Sequence, residues 1–264
     1  MRDLTSSPTI AVAIAARNAT RFIGATLDSL VEQSRKPDQV IVIDDGSTDG
    51  TAALASIYKS RLSNLTVIQN QTSLGISAAR NRANAAAETD YIAVLDADDL
   101  FGPDTMQQYA EFLTDHPDTD LLYADTRVYD SEMNHGKARH YPSFRTSREA
   151  IRRTLGSPLV PFKHSSMVYR REAFEEIGGY DESLPIKVDV DLFLRFHAEG
   201  MKVLKLDQTT SLHRKHDRQV SVNRLRGIKA YRRLVQTYEP DPIVRGLLLS
   251  TRIPSEMLKL LLRG

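Results

Sequence analysis

The chain of 264 residues has no cysteine, which excludes disulfides and thiolate metal sites and leaves secretion undecided. It has no charge excess either: 35 Lys and Arg stand against 34 Asp and Glu, a formal +1. A general nucleic-acid binder would carry a strong basic surplus, so that class is not expected. No apolar run approaches the ~18 residues of a membrane span. The first nine residues are polar, and Ile10 to Ala16 is too short an apolar run for a leader. The expectation is therefore a cytoplasmic protein without a signal peptide. What remains, 41% hydrophobic and 26% charged residues, is ordinary for a globular domain long enough to bury a sizeable core.

The first half alternates short β-branched runs with longer amphipathic stretches, as βα units on a parallel sheet do. Strands are expected at Ile10 to Ala15, Gln39 to Ile43, Leu65 to Gln69 and Tyr91 to Leu95. Between them, helices are expected at Thr20 to Gln33, from Asp49 or Thr51 onward, and at Ile76 to Ala87, with Pro103 opening another at a first-turn position. The second half loses this alternation. Strands are expected at Leu121 to Val128, Ser165 to Tyr169 and Lys202 to Leu206, and His135 to Tyr141 reads as a loop or short hairpin. Short helices at Glu172 to Ile177 and Val190 to Ala198 are closed by Gly178-Gly179 and Gly200. Beyond Ser221 the chain reads helical, with a break at Glu239 to Pro242.

Ligands of parallel α/β sheets collect at the carboxyl ends of the strands. Three polar clusters fall there: Arg17-Asn18, Asp44-Asp45 and Asp96-Ala97-Asp98. Asp96 and Asp98, one residue apart as the chain leaves a buried strand, can present oxygens to one hard cation such as Mg²⁺ or Mn²⁺. Such a cation would neutralise a diphosphate leaving group. The plainer alternative is an acidic turn before the Pro103 helix, a role that suits Asp99 better. Asp44 and Asp45 can accept from a base or ribose, or can be a simple Asp-Gly turn. Arg80 can reach a donor or hold an aspartate in place, and otherwise is a solvated helix charge. Asp189 precedes the Val190 helix and Asp191 lies in its first turn, so one of the two can be a cap. His213 and His216 have a spacing that can bind metal, although a histidine pair in a basic stretch is more often surface.

Taken in order, these pieces resemble family 2 glycosyltransferases of the GT-A fold. The resemblance rests on Arg17-Asn18, Val42 to Asp49, Gly75 to Asn81, Tyr91 to Asp99, Tyr169 to Arg171, Gly178 to Glu182 and Asp189 to Leu192. It covers about residues 8 to 221. It implies an α/β fold with a mixed sheet flanked by helices, a nucleotide-binding half to about residue 100 and an acceptor half to about 221. By the same resemblance Ala15, Arg17, Asn18, Asp44, Asp45 and Arg80 would surround the nucleotide-sugar. Asp96, Ala97 and Asp98 would form the Asp-x-Asp motif, with Asp96 and Asp98 meeting the diphosphate through Mn²⁺ or Mg²⁺. Asp189 sits where the family places its catalytic base, in a stretch usually read Glu-Asp. Val188 replaces that Glu here, and Asp191 stays as a rival. Arg214 and His216, followed by Ser221, resemble a downstream Arg-x-His…Ser segment that closes over the donor. The implied reaction inverts the anomeric carbon, with a UDP-sugar favoured as donor. The implied acceptor is a glycan or lipid-linked glycan hydroxyl, and the implied setting cell-surface polysaccharide synthesis.

Two other classes fit less well. A nicotinamide-dependent oxidoreductase needs a Gly-x-Gly-x-x-Gly turn, where this chain has Ala15-Ala16-Arg17-Asn18-Ala19. A catalytically silent nucleotide-sugar-binding module would not need Asp96, Asp98 and Asp189 together.

Residues 222–264 form a helical extension with nine Lys or Arg against Glu239, Asp241 and Glu256, a net +6 that leaves −5 for the residues before it. Its basic residues beside leucines suit a helix lying on an anionic membrane, each cation contributing about 1 kcal/mol. That would put the protein peripherally on the inner face of a membrane. The alternative is a helix pair packed on the catalytic domain or on a dimer partner. Pro254 is expected to interrupt the pattern.

Overall fold

The computed structural model describes residues 7–157, 159–216 and 224–261. The expected boundary at Ser221 lies outside the described residues. The first half follows the expected alternation: β1 (Ile10–Ala16), α1 (Ile23–Val31), β2 (Gln39–Asp44), α2 (Thr51–Ile57), β3 (Leu65–Gln69), α3 (Ile76–Ala85) and β4 (Tyr91–Val94). Then come β5 (Leu100–Phe101), α4 (Thr105–Asp115), β6 (Leu121–Tyr129), β7 (Lys137–Arg139), α5 (Ser147–Gly156), β8 (Met167–Arg170) and α6 (Arg171–Glu176). The last elements are α7 (Val188–Ala198), β9 (Val203–Arg214), α8 (Arg224–Tyr238) and α9 (Pro242–Leu261).

One mixed sheet holds the strands in the order β3-β2-β1-β4-β8-β6-β9-β5, with β7 added to β6. β1 lies parallel to both β2 and β4, so successive connections leave it in opposite directions. That reversal of strand order opens a crevice at the carboxyl ends of β1 and β4. Alternation along β1 explains why both its faces are apolar. Ala11 and Ala13 join one core with α3 and α7, and Ile10, Val12 and Ile14 join the other with α1 and α4. Each fully buried Ile or Val contributes about 1.5–3 kcal/mol to the stability of the sheet that carries the crevice.

Several expectations need correction. α4 starts at Thr105 with Asp104 at its N-cap, so Pro103 lies just before the helix and not in its first turn. The strand expected from Ser165 begins at Met167, after a 3₁₀ turn at His164–Ser166. α5 occupies a stretch where no element is expected, and β9 runs twelve residues rather than ending at Leu206. Its polar second half is held by pairing with β6 past a register shift at Ala124 to Thr126, and with β5. α9 continues through Pro254 to Leu261.

The extension packs on the rest of the chain. Leu234 and Val235 of α8 are buried in the core shared with α7, and Tyr231 Oη donates to the Leu155 carbonyl of α5 at 3.0 Å. On α9, Leu248 and Leu249 pack against that core, whereas Ile243 and Leu247 are exposed. Among the described residues no helix is long and apolar enough to cross a membrane.

Candidate active site

A cleft of about 390 Å³ opens where β1 and β4 end. Ala15, Arg17, Asn18 and Phe22 line it from the β1 side, Asp96, Ala97 and Asp98 from the β4 side. Arg80, Lys163, His164, Pro185 to Asp189, His213 and His216 contribute the rest.

After β4 the backbone turns sharply, Asp99 N donating to the Asp96 carbonyl at 3.0 Å. This turn brings one oxygen each of Asp96, Asp98 and Asp99 within 4.8 Å of one another. The three carboxylates then meet different partners. Asp96 Oδ1 accepts from Arg80 Nη2 at 2.8 Å and lies 3.3 Å from His164 Nδ1. Burial pushes the Asp96 pKa up, but Arg80, then His164 and Lys163, hold it well below the usual carboxylate range. Asp99 is fully buried and accepts from Ser165 Oγ at 2.6 Å and Arg214 N at 3.1 Å, with His213 Nδ1 2.9 Å away. Burial again opposes ionisation there, and Lys163 and His213 prevail, lowering its pKa. Asp98 differs. Only Oδ2 meets His216 Nε2, at 2.7 Å, and burial, then Asp99 and Asp96, push its pKa up. Asp99 therefore supports the turn, and among the described residues Asp98 is the carboxylate whose charge is least compensated. All-oxygen donors around an undercompensated carboxylate fit a hard divalent cation, so the residues are compatible with Mg²⁺ or Mn²⁺.

Arg80 takes the second of its two expected roles, bracing Asp96 while its guanidinium lies 5.6 Å over the Tyr180 ring. His213 and His216 are not surface residues; both are largely buried against the aspartate turn. Phe22 stacks on His216 at 4.5 Å, and Arg214 lies over the other side chain of that pair, 5.2 Å from the Phe22 ring. Arg214 also donates to the Asp98 and Ser131 carbonyls, so it braces the turn instead of lining the cleft. Ser221 lies outside the described residues.

Asp44 and Asp45 are buried and do not line the cleft. Asp44 accepts from Ser47 and from Gln69 Nε2 at 3.1 Å. Asp45 accepts from Asn70 Nδ2, Ser73 Oγ, Leu74 N and Gly75 N at 2.7–3.0 Å. Burial opposes its ionisation, but the bonds from Leu74, Ser73, Asn70 and Gly75 together lower its pKa. The approach of this loop needs Gly46, where a Cβ would lie 2.7 Å from Ser73 N. Asn18 has a left-handed backbone, φ 49°, and accepts from Thr48 N at 3.0 Å, which links the ends of β1 and β2.

Across the cleft, Lys187 adopts a left-handed backbone, φ 63°, and α7 begins directly after it. Asp189 is thus inside the first turn rather than before the helix, half-buried and lining the cleft. Asp191 is not in that cleft. It pairs with Arg195 Nη2 at 2.5 Å, accepts from Tyr238 Oη at 2.7 Å, and lines a separate cavity of about 510 Å³ beside α8. Sequence reasoning assigns no role to Lys163 or His164. Their contacts with Asp96 span 67 and 68 positions, and no local pattern announces them.

The model of the family described as glycosyl transferase family 2 matches residues 11–178. EpsE of Bacillus subtilis (strain 168), provisionally named a glycosyltransferase, is 30% identical over 208 residues, 78% of this chain and 72% of that protein. A PGL/p-HBAD biosynthesis glycosyltransferase of Mycobacterium bovis (strain BCG / Pasteur 1173P2) is 28% identical over 191 residues, covering 72% of this chain and 70% of its own. Among solved structures, the mannosyltransferase PcManGT from Pyrobaculum calidifontis, in complex with GDP-Man and Mn²⁺, superposes with a TM-score of 0.70 at 20% identity. That likeness covers 97% of this chain and 74% of PcManGT. S. aureus TarS 1–349 in complex with UDP-GlcNAc gives 0.69 at 21% identity, over 91% and 70%. At these identities the two structures speak for the fold, and the fold is GT-A.

Proposed function

The chain belongs to glycosyl transferase family 2, and from that premise we propose that it moves a sugar, with inversion, from a nucleotide-diphosphate donor to a hydroxyl acceptor. The observation that carries this reading is the cleft itself, with the undercompensated Asp98 beside β4 and Asp189 at the start of α7 lining the same space. A UDP-sugar is the favoured donor. Ala15, Arg17 and Asn18 lie where the nucleotide would meet the ends of β1 and β2, and Asp44, Asp45 and Arg80 hold that surface in shape. Asp96 and Asp98 would hold Mn²⁺ or Mg²⁺, which when bound supplies positive charge to the leaving diphosphate. Asp189 takes the acceptor proton as general base, and His216 orients Asp98. Asp191, already paired with Arg195 and Tyr238, is the poorer candidate for that proton.

The reading divides the chain into a catalytic unit through about residue 221 and a helical extension of 222–264. The acceptor is a glycan or lipid-linked glycan of a cell-surface polysaccharide, reached at the inner face of a membrane. The basic extension and the exposed Ile243 and Leu247 of α9 support that placement. Screening nucleotide-sugars for Mn²⁺-dependent hydrolysis tests the donor reading. UDP-sugars should be turned over, and silence with every donor would favour a non-catalytic binding module. Co-sedimentation of the full chain with anionic vesicles, compared with a truncation at Ser221, tests the placement. Equal behaviour of the two proteins would leave packing as the sole role of the extension.

A further inference from the structure

The aspartate turn contains its own cation. Lys163 Nζ lies 3.2 Å from Asp99 Oδ2 and 3.5 Å from Asp96 Oδ2, with its side chain 21% exposed and lining the cleft. Among the described residues Arg80 is the other cation ion-paired to these carboxylates, bound to Asp96, and the Arg214 guanidinium donates to the Asp98 carbonyl. Three carboxylates against Lys163, Arg80 and Arg214 leave no excess of negative charge in a largely buried cluster. A divalent cation entering by itself would turn that balance positive, and unbalanced charge away from water is costly. A diphosphate arriving with it restores the balance.

The position of Lys163 argues for more than a structural ion pair. An ammonium is a compact point charge on a flexible stem, unlike the planar fork by which Arg80 is committed to Asp96 and Tyr180. Lys163 stands between two acids at the cleft surface, where it can face a phosphate without leaving either.

We propose that Lys163 is a resident counter-ion that keeps the Asp96–Asp98–Asp99 cluster from holding a divalent cation tightly until a nucleoside diphosphate occupies the cleft. Cation and donor are then captured together, which protects the site from free metal. The inference rests on the reading of the cleft as a site for a nucleotide-diphosphate donor with Mn²⁺ or Mg²⁺. By linkage, the nucleotide tightens Mn²⁺ binding by the same factor as Mn²⁺ tightens nucleotide binding, and Lys163 sets part of that factor.

The experiment follows free Mn²⁺ by electron paramagnetic resonance during titration of the wild type, Lys163→Met, Lys163→Gln and Lys163→Arg, each without and with UDP. Without UDP, the Met and Gln variants should bind Mn²⁺ roughly tenfold or more tightly than wild type, because a like charge is gone. Lys163→Arg, which keeps the charge, should follow wild type. The enhancement of Mn²⁺ binding by UDP should shrink in the Met and Gln variants. Two neutral variants guard against one failing to fold, which a circular dichroism melt reveals. Mn²⁺ affinity unchanged or weaker in a folded neutral variant overturns the proposal, and so does Mn²⁺ binding to none of the proteins. If the neutral variants bind Mn²⁺ more tightly but UDP affects no protein, the counter-ion role stands and the choice of donor falls.

Discussion

Asp96-Ala97-Asp98 and Asp189-Val190-Asp191 have the same spacing and opposite outcomes. The first follows a strand and folds into a turn, which gathers its carboxylates with Asp99 within 4.8 Å. The second lies in the first turn of α7, where residues two apart point about 200° from each other. Asp189 therefore lines the cleft at the ends of β1 and β4, and Asp191 faces α8 through Tyr238. An Asp-x-Asp triplet is thus a shared site only when the backbone is not helical.

The largest expected effect breaks or keeps this division directly. Asp189→Asn should lower kcat by about 10²–10⁴-fold with donor affinity unchanged, because a base acts in the transition state. Steady-state kinetics on Asp191→Asn should show a far smaller loss, and the reverse pattern would exchange the two roles. Stability should sort the pair the other way. Asp191→Ala strands the partly buried Arg195 and frees Tyr238, a cost of about 3 kcal/mol in urea unfolding, while Asp189→Ala should cost under about 1 kcal/mol.

The histidine of α7 sharpens the contrast between its faces. His197 is 5% exposed between the Phe144 and Phe193 rings, and burial lowers its pKa from 6.5 to about 4. The folded value lies below the unfolded one, so its contribution is intact above pH 6.5 and is lost as pH falls toward 4. Between pH 7 and pH 4 the wild type should lose about 2–3 kcal/mol more stability than His197→Gln. Parallel pH profiles for the two proteins would mean that this face of α7 is open to water.

The smallest effect belongs to the strand-side triplet. Asp98→Asn should remove the strengthening of donor binding by Mn²⁺, about tenfold or ~1.4 kcal/mol, with an unchanged melting curve. Calorimetry with and without Mn²⁺ measures it, and an unaltered metal dependence would take Asp98 out of the cation site.

The parts of the molecule legible in the sequence are those whose cause is local. β1, β2 and β4 announce themselves because strands buried on both faces need continuous apolar runs, and the polar residues at their ends stand out against them. α7 starts two residues before the expected Val190 because Lys187 takes a left-handed conformation that no neighbouring glycine signals. α5 has only Ala150, Thr154 and Leu155 buried, too sparse a pattern to separate from loop. The second half of β9 is polar, Asp207 to Ser211, and is a strand because β6 and β5 supply hydrogen bonds that lie far off in sequence. Lys163 and the bracing role of Arg214 were hidden for the same reason, since both arise from contacts across more than sixty positions.

The seating of α8 on α5 and α7 also fixes how the enzyme can be aimed. Tyr231 is anchored to Leu155, Arg233 to Asp181 at 2.8 Å and Tyr238 to Asp191, so the hinge that a free tail would provide is replaced by a keel. If α9 rests on a bilayer, the heading of the cleft relative to that surface is set by the fold and not by a tether. Height and tilt above the lipid then become inherited properties of the core, and loosening the Arg233 or Tyr238 anchor would scatter them without touching the chemistry.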